Sequence, residues 1–382
     1  MRTERTCEGD LEGGMEQMFI TELIIKKVRH LKDISIPLSD NQIKHLILTG
    51  RNGSGKTSVL EALADYLNRV FEEKCGEESE RLEVRFHTNA AGHYVLAYYR
   101  ADRIFQAEQP RHVEKVQLKN NYGLTEFPRS EFVKYLLDLK MTEALARNNK
   151  KSEKADEIQK WFGKLELLLK RIFEDETVEL VFDEETFEFH ILQKGKEPFD
   201  FHTLSGGYQA VLDVVLDIIM RMQSRTQRSF DFNLPGIVLI HEIETHLHLE
   251  LQKNIMLLLT GLFPYIQFIV TTHSPFILNS LENAVIYDLE EHLLVENGLS
   301  DIPYDGIVEG YFGAEKLSGI LKEKFERYKE LVKKDALSDD DMSEIARLEL
   351  YLEEIPDYLA IGLTSEFQRL QLEFMNREDL NG

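Results

Sequence analysis

Cysteine is scarce in this chain: Cys7 and Cys75 are the only two among 382 residues. A single pair cannot build a disulfide framework, so a reducing compartment, the cytoplasm, is the expectation. Long apolar runs are also missing. The best of them, such as Ile255 to Phe263, is far too short to span a bilayer, and no membrane contact is expected. Met1 to Gln17 is charged and glycine-rich and lacks the apolar segment of a secretory signal. It reads as a disordered leader, with Met15 or Met18 as an alternative start. Basic charge is in deficit: 45 Lys and Arg stand against 68 Asp and Glu, a formal net charge of -23. That excludes coating of nucleic acid by the whole surface, because phosphate binding rests on Lys and Arg. A local basic groove stays open, from Lys26, Lys27, Arg29 and Lys32 or from Arg100, Arg103, Arg111 and Lys115. Solvated strand and loop faces are the plainer reading of both groups.

What is present fits a large globular protein. Hydrophobic residues make up 43% of the chain and charged residues 30%, enough for one sizeable core and a smaller second one. Phe19 to Ile25 and Ile34 to Leu38 read as strands joined by a basic turn. Lys44 to Thr49 is a short apolar strand that runs into Gly50-Arg51-Asn52-Gly53-Ser54-Gly55-Lys56-Thr57. Beyond Lys56, the residues Val59, Leu60, Leu63, Leu67, Val70 and Phe71 recur at helical spacing. Leu82 to Phe86 and Tyr94 to Tyr99 are expected strands. Ser130 to Phe173 reads as a helical stretch rich in Lys and Glu, Glu176 to Leu192 as a hairpin, and Tyr208 to Met222 as a helix. The strand Ile237 to Ile240, the helix Leu249 to Leu262 and the strands Ile266 to Val270 and Val285 to Leu289 follow. From Glu315 the tail is helical and charged, broken at Pro356. Asp339-Asp340-Asp341 reads as a helix N-cap cluster rather than a metal site. No internal repeat is present.

Strand, glycine loop, helix is the context a phosphate cradle requires. Glycines let backbone N–H groups turn inward, and the helix N-terminus adds its dipole. Asn52, Gly53, Ser54, Gly55, Lys56, Thr57 and Ser58 are the candidate contacts. Lys56 would reach the β- and γ-phosphates of a nucleotide, and Thr57 would place a hydroxyl on Mg²⁺. A second motif, Leu204-Ser205-Gly206-Gly207-Tyr208-Gln209, lies far away in the chain. Ser205 offers a hydroxyl, and Gly206 and Gly207 let backbone approach an anion at a helix start. By itself a flexible turn would explain it.

Together the two motifs resemble those of the ABC-type ATPases. The loop form is closer to the SMC, RecF and OLD-like branch than to transporters. The resemblance implies an α/β fold: a P-loop ATPase head with a mixed, largely parallel sheet, a short helical lobe around residues 130–175 and a helical C-terminal region from 301. In that family Ser205, Gly206, Gly207 and Gln209 of one copy would complete the ATP site of another. A homodimer sandwiching ATP is therefore implied, with a higher oligomer left open. Ile237-Val238-Leu239-Ile240-His241-Glu242 resembles the Walker B strand. Glu242 matches the catalytic glutamate and His273 the switch histidine, beside Lys56 as the third catalytic position. Glu244-Thr245-His246-Leu247-His248 matches the Glu-x-His-Leu-His run of the OLD and RecF-like branch. Arg103 resembles an arginine after the preceding strand in OLD-like ATPases; an ordinary surface loop is the alternative. Gln106 is a candidate for the glutamine loop and Arg29 for a further nucleotide contact.

One position departs from the pattern. The family has Asp where this chain has His241. A neutral imidazole brings no negative charge to a Mg²⁺ shell and would touch it through water at most, so weak Mg²⁺ coordination at Thr57 and His241 and slow hydrolysis are expected. His241, His246 and His248 with Glu242 could alternatively suggest zinc. The interval between the motifs is too short for an SMC coiled coil, and the tail after about residue 300 is too short for an appended nuclease domain. The resemblance extends to the Septu and retron-associated ATPases of anti-phage defence. It implies a regulatory subunit that controls a separate effector nuclease. A RecF-like repair ATPase that binds DNA directly, a nucleotide-locked scaffold and a transporter subunit are the rivals.

Overall fold

The strands are of two kinds, alternating and continuously apolar, and the two kinds build different sheets. The computed structural model of the protein describes residues 16–72, 79–89, 93–103, 112–226, 232–302, 306–307, 319–334, 337–353 and 361–375. The expected leader falls outside these apart from Glu16 and Gln17, and so do Gln106, Arg111 and Pro356. Strands β1 (Met18–Val28) and β2 (Leu31–Pro37) form the expected hairpin, with Leu23 opposite Ile36 and Ile25 opposite Ile34. Strand β3 (His45–Thr49) is buried on both faces and leads through the glycine loop into α1 (Lys56–Leu67). Strand β4 (Leu82–Thr88) pairs antiparallel with β1, giving a three-stranded sheet in the order β2-β1-β4.

Strand β5 (Val95–Tyr99) precedes the helical lobe. The stretch read as continuously helical is in fact a hairpin of α2 (Phe132–Asn148) and α3 (Ser152–Phe173). Lys150 takes a left-handed φ of 58°, which no α-helix can carry through. The two helices meet through Tyr135 and Trp161, whose rings sit edge-on with centroids 5.8 Å apart. Strands β6 (Glu179–Asp183) and β7 (Glu188–Leu192) form a separate antiparallel pair.

Helix α4 (Gly206–Arg225) is buried on nearly all sides. It therefore needs partners for Asp213, Asp217, Arg221 and Gln223, all buried. Asp217 accepts from Tyr99 Oη at 2.8 Å and Arg221 Nε at 2.7 Å. Arg129 pairs with Asp213 and lies 3.6 Å from Asp217. Burial pushes the Asp213 carboxyl up to about 6 even against the Arg129 charge.

Strand β8 (Gly236–Ile240), helix α5 (Leu249–Leu262), strand β9 (Ile266–Thr271), the short α6 (Pro275–Leu278), β10 (Ala284–Asp288) and β11 (Leu293–Val295) complete this unit. The main sheet has the order β11-β10-β3-β9-β8-β5. Its inner pairs are parallel, and β11 alone is antiparallel to its neighbour. Strands such as Ile-Val-Leu-Ile at 237–240 are apolar throughout because both faces of a parallel sheet are covered.

From Ile302 the chain forms a second unit. Helices α7 (Gly319–Val332), α8 (Asp339–Glu353) and α9 (Ile361–Met375) bury Phe325, Tyr328, Leu331, Ile345, Leu352 and Phe367 among themselves. The cap of α8 is Ser338, one residue before the acidic cluster. Its Oγ accepts from Asp341 N–H at 3.2 Å, and Asp341 Oδ2 accepts from Ser338 N–H at 2.9 Å. Among the described residues, no helix is long and apolar enough to cross a membrane.

Candidate functional site

Parallel strands end at one edge of a sheet, so residues distant in sequence converge there. Leu48 is level with Thr271, Val270 with Ile240, Ile240 with Tyr99, and Thr49 with Asp288. The segments just beyond them, Gly50–Thr57, Arg100–Arg103, His241–Glu244, Thr272–Ser274 and Asp288–Glu290, therefore share one rim.

The glycine loop has the geometry of a cradle. Gly50, Gly53 and Gly55 have φ of 127°, 89° and 103°, values an L-side chain rarely adopts. A Cβ on Gly50 would stand 2.8 Å from Ser54 Oγ, and one on Gly55 would stand 2.8 Å from Leu31 Cδ1. Ser54 Oγ is buried with no hydrogen-bond partner among the described residues, an acceptor-donor group left for something else to satisfy. Lys56 Nζ lies inside the loop and donates to Gly50 O at 2.6 Å and Arg51 O at 3.0 Å. Burial lowers its pKa, opposed by the carboxylates of Glu242, Glu244, Asp288 and Glu290. Asn52, Gly53 and Thr57 are exposed at the loop surface, while Ser58 is buried in the first turn of α1. These residues fit a polyphosphate: inward-turned backbone, a buried ammonium and an unsatisfied hydroxyl.

At the end of β8, His241 faces the loop. Its Nε2 is 3.1 Å from Thr57 Oγ1 and its Nδ1 2.7 Å from Thr271 Oγ1. Thr271 Oγ1 also accepts from Glu242 N–H at 2.8 Å. Burial lowers the His241 pKa despite the neighbouring Glu242 and Glu61, so its ring is neutral at pH 7. Glu242 itself has φ of 46°, a left-handed backbone on a residue that does not favour it.

That turn is held from below by Arg103. Its Nη1 donates to His241 O at 2.9 Å, and its Nη2 to Glu242 O at 3.2 Å and Ile243 O at 2.6 Å. Arg103 is only 5% exposed, which corrects the surface-loop alternative. Burial brings its guanidinium down to about 10, opposed by Asp213, Glu244 and Glu242. Glu244 Oε1 accepts from His273 N–H at 2.6 Å, tying the β8 exit to the β9 exit. The His273 pKa is lowered by burial first and by the Lys56 charge second.

Ser205 and Gly206 are exposed at the start of α4. Gly207 packs on α5: a Cβ there would meet His248 Nδ1 at 2.9 Å. Gln209 N–H donates to Ser205 O at 3.0 Å, closing the first turn. His241 and His248 thus serve different neighbours. Among the described residues, no group of three His, Cys, Asp or Glu side chains is placed to hold a metal ion by itself. Thr271, Asp288 and Glu290 were missed in the sequence. Thr271 sat beside His273 and could have been suspected; Asp288 and Glu290 carry no motif and reach the loop only through the β3–β10 pairing. Glu290 there accepts from Arg51 N–H at 3.0 Å.

A parallel sheet with a phosphate loop, an acidic strand exit and a separate glycine-rich helix start defines a P-loop nucleotide-binding protein. The chain's sequence is similar to AAA ATPase families and to Septu and retron ATPases. A family profile described as "AAA ATPase domain" matches residues 18–143, and one described as "AAA domain, putative AbiEii toxin, Type IV TA system" matches residues 127–279. A Septu protein PtuA of Bacillus mycoides is 27% identical over 93% of this chain and 53% of its own length. The Retron Ec83 probable ATPase of Escherichia coli is 30% identical over 40% of this chain and 29% of its own length. The chain thus spans about half the length of the first of these relatives, and less of the second. Among solved structures, an SMC head bound to the C-winged helix domain of ScpA aligns with a TM-score of 0.43 at 15% identity, covering 75% of this chain and all of that one.

Proposed function

We propose that the protein binds and slowly hydrolyses ATP, dimerises around it, and acts as the regulatory subunit of a cytoplasmic anti-phage defence system that controls a separate effector nuclease. The observation that carries this reading is the division of the site. Lys56, Thr57, His241, Glu242 and His273 share one rim, while Ser205 and Gly206 stand exposed at the start of α4 with no contact to those residues among the described hydrogen bonds. An exposed signature turn suits a partner copy's nucleotide.

In this reading the loop amides, Ser54 and Lys56 hold the phosphates, and Glu242 orients and polarises the attacking water. His273 contacts the γ-phosphate, with its backbone held by Glu244. Thr57 offers a hydroxyl to Mg²⁺, which when bound neutralises phosphate charge. His241 stands where the family has Asp, beside Thr57, and contributes no negative charge. Slow turnover follows, and slow turnover suits a switch. The Septu and retron names of the relatives support the defence setting. The His241 position also favours a second reading, a nucleotide-locked scaffold with negligible turnover.

Sedimentation of the full chain with and without ATP and Mg²⁺, beside steady-state hydrolysis, tests the proposal. ATP should drive dimer formation, and Glu242→Gln should keep the dimer while removing turnover. A chain whose association state ignores ATP would overturn the reading. Turnover unaffected by Glu242→Gln would overturn the assignment of Glu242 and leave the scaffold reading in place.

A further inference from the structure

The side chain beside Thr57 is of the wrong class for Mg²⁺. Thr57 offers an oxygen, which Mg²⁺ requires, but its neighbour His241 offers a nitrogen. Imidazole suits the later first-row divalent ions, whose affinity for such donors rises from Mn²⁺ to Co²⁺. The spacing of the two donors also fits a shared ion. His241 Nε2 lies 3.1 Å from Thr57 Oγ1. Adjacent ligands of an octahedral ion with bonds of roughly 2.1 Å stand about 3.0 Å apart. The same spacing suits the hydrogen bond between the two groups, and a cation would take the place of its proton.

The other ring nitrogen fixes the orientation. Nδ1 is 2.7 Å from Thr271 Oγ1, which also accepts from Glu242 N–H at 2.8 Å. With Nδ1–H donating to that oxygen, Nε2 carries a bare lone pair aimed at Thr57, as in most histidine ligands. Thr271 is buried and lies on the neighbouring strand β9, so the ring is held from outside its own segment. The carboxylates of Glu242, Glu61 and Glu244 act on the ring, opposed by the Arg103 guanidinium. Three negative charges against one positive favour a cation there. Among the described residues, no three His, Cys, Asp or Glu side chains could hold that ion by themselves. Phosphate oxygens must therefore complete its shell, which ties the ion to the nucleotide.

We propose that His241 Nε2 binds the nucleotide's divalent cation directly, beside Thr57, and that the site therefore selects a first-row transition ion such as Co²⁺ or Mn²⁺ over Mg²⁺. The proposal rests on nucleotide binding at the glycine loop and goes beyond it in naming the ion and its nitrogen ligand. It also replaces the expectation of a contact through water: the imidazole is longer than the aspartate of the family pattern and reaches the hydroxyl itself.

The test uses the full chain with ATPγS and Mn²⁺, read by pulsed electron paramagnetic resonance. The bound Mn²⁺ should couple to a nitrogen nucleus, and the coupling should change when histidine carries heavy nitrogen, which sets aside the nitrogens of adenine. His241→Gln, neutral but with an oxygen donor, should lose the coupling. Competition between Co²⁺ and Mg²⁺ on the nucleotide-loaded protein is measured alongside. The Mg²⁺ excess that displaces half of the Co²⁺ should be at least about tenfold larger for the wild type than for His241→Asp. Binding of a fluorescent ATP analogue is followed separately with each cation. Where the analogue binds, three results overturn the proposal alone: no histidine coupling in the wild type, coupling that persists in His241→Gln, or equal selectivity in the wild type and His241→Asp. Retention of Co²⁺ without nucleotide overturns it as well. A chain that binds the analogue with none of these cations overturns this proposal and the ATP reading together.

Discussion

Arg103 Nη2 donates to the carbonyl oxygen of Ile243 at 2.6 Å, and with Nη1 it spans three consecutive carbonyls from His241 to Ile243. Glu242 sits in the middle of that span with a left-handed backbone. A planar fork can hold three acceptors in one arrangement where an ammonium cannot. Arg103 is therefore a positioning residue for Glu242. In Arg103→Lys we expect kcat for ATP to fall about 10²-fold, the usual cost of misplacing a reacting group by about 1 Å. KM for ATP should stay within about threefold, because Lys56 and the loop are untouched. A parallel loss in KM would assign Arg103 to nucleotide binding instead.

His241→Asp should raise turnover about tenfold and lower the Mg²⁺ concentration needed for half-maximal rate. The reason is charge: a carboxylate beside Thr57 adds attraction for the cation that a neutral imidazole lacks. Mg²⁺ titrations of both proteins measure this. An unchanged or lower rate would overturn the proposed link between His241 and slow hydrolysis.

Glu242→Gln keeps the shape of the site and removes the carboxylate proposed to polarise the attacking water. Hydrolysis should drop at least about 10²-fold while ATP still binds, read by filter binding and phosphate release.

The divided site predicts complementation. Lys56→Ala and Ser205→Arg should each be inactive as pure proteins. Mixed, they should form heterodimers with one intact composite site, and activity should return to a fraction of wild type. A mixture that stays inactive counts against a shared site.

A pH effect follows from His45, buried at the start of β3 with its Nδ1 accepting from Phe268 N–H at 3.1 Å. Burial lowers its pKa from 6.5 to about 4. The unfolded chain therefore takes up the proton first as pH falls. The contribution to stability is complete above pH 6.5 and is lost as pH falls from 6.5 to about 4. Its size is on the order of 3 kcal/mol. His45→Asn, which keeps an acceptor, should show a shallower fall in urea midpoint over that window.

Much of the nucleotide edge was legible because it is local. The glycines of the phosphate loop, the apolar run 237–240 and the helical spacing after Lys56 are properties of a few adjacent residues, and the strands and helices came out close to their expected limits. The α2–α3 break was not legible, because Asn149-Lys150-Lys151 carries neither Gly nor Pro and the turn rests on one left-handed lysine.

The chain by itself determined that there would be a phosphate cradle, an apolar strand ending in His241-Glu242, and a second glycine-rich helix start. Backbone conformation and burial at those places depend on neighbouring residue types. Only the tertiary structure decided that Arg103 lies under Glu242, that Glu244 holds His273, and that Asp288 and Glu290 face the loop. Those relations come from parallel strands of unequal sequence distance ending at one edge, and the order of strands in a sheet is not written in any one of them.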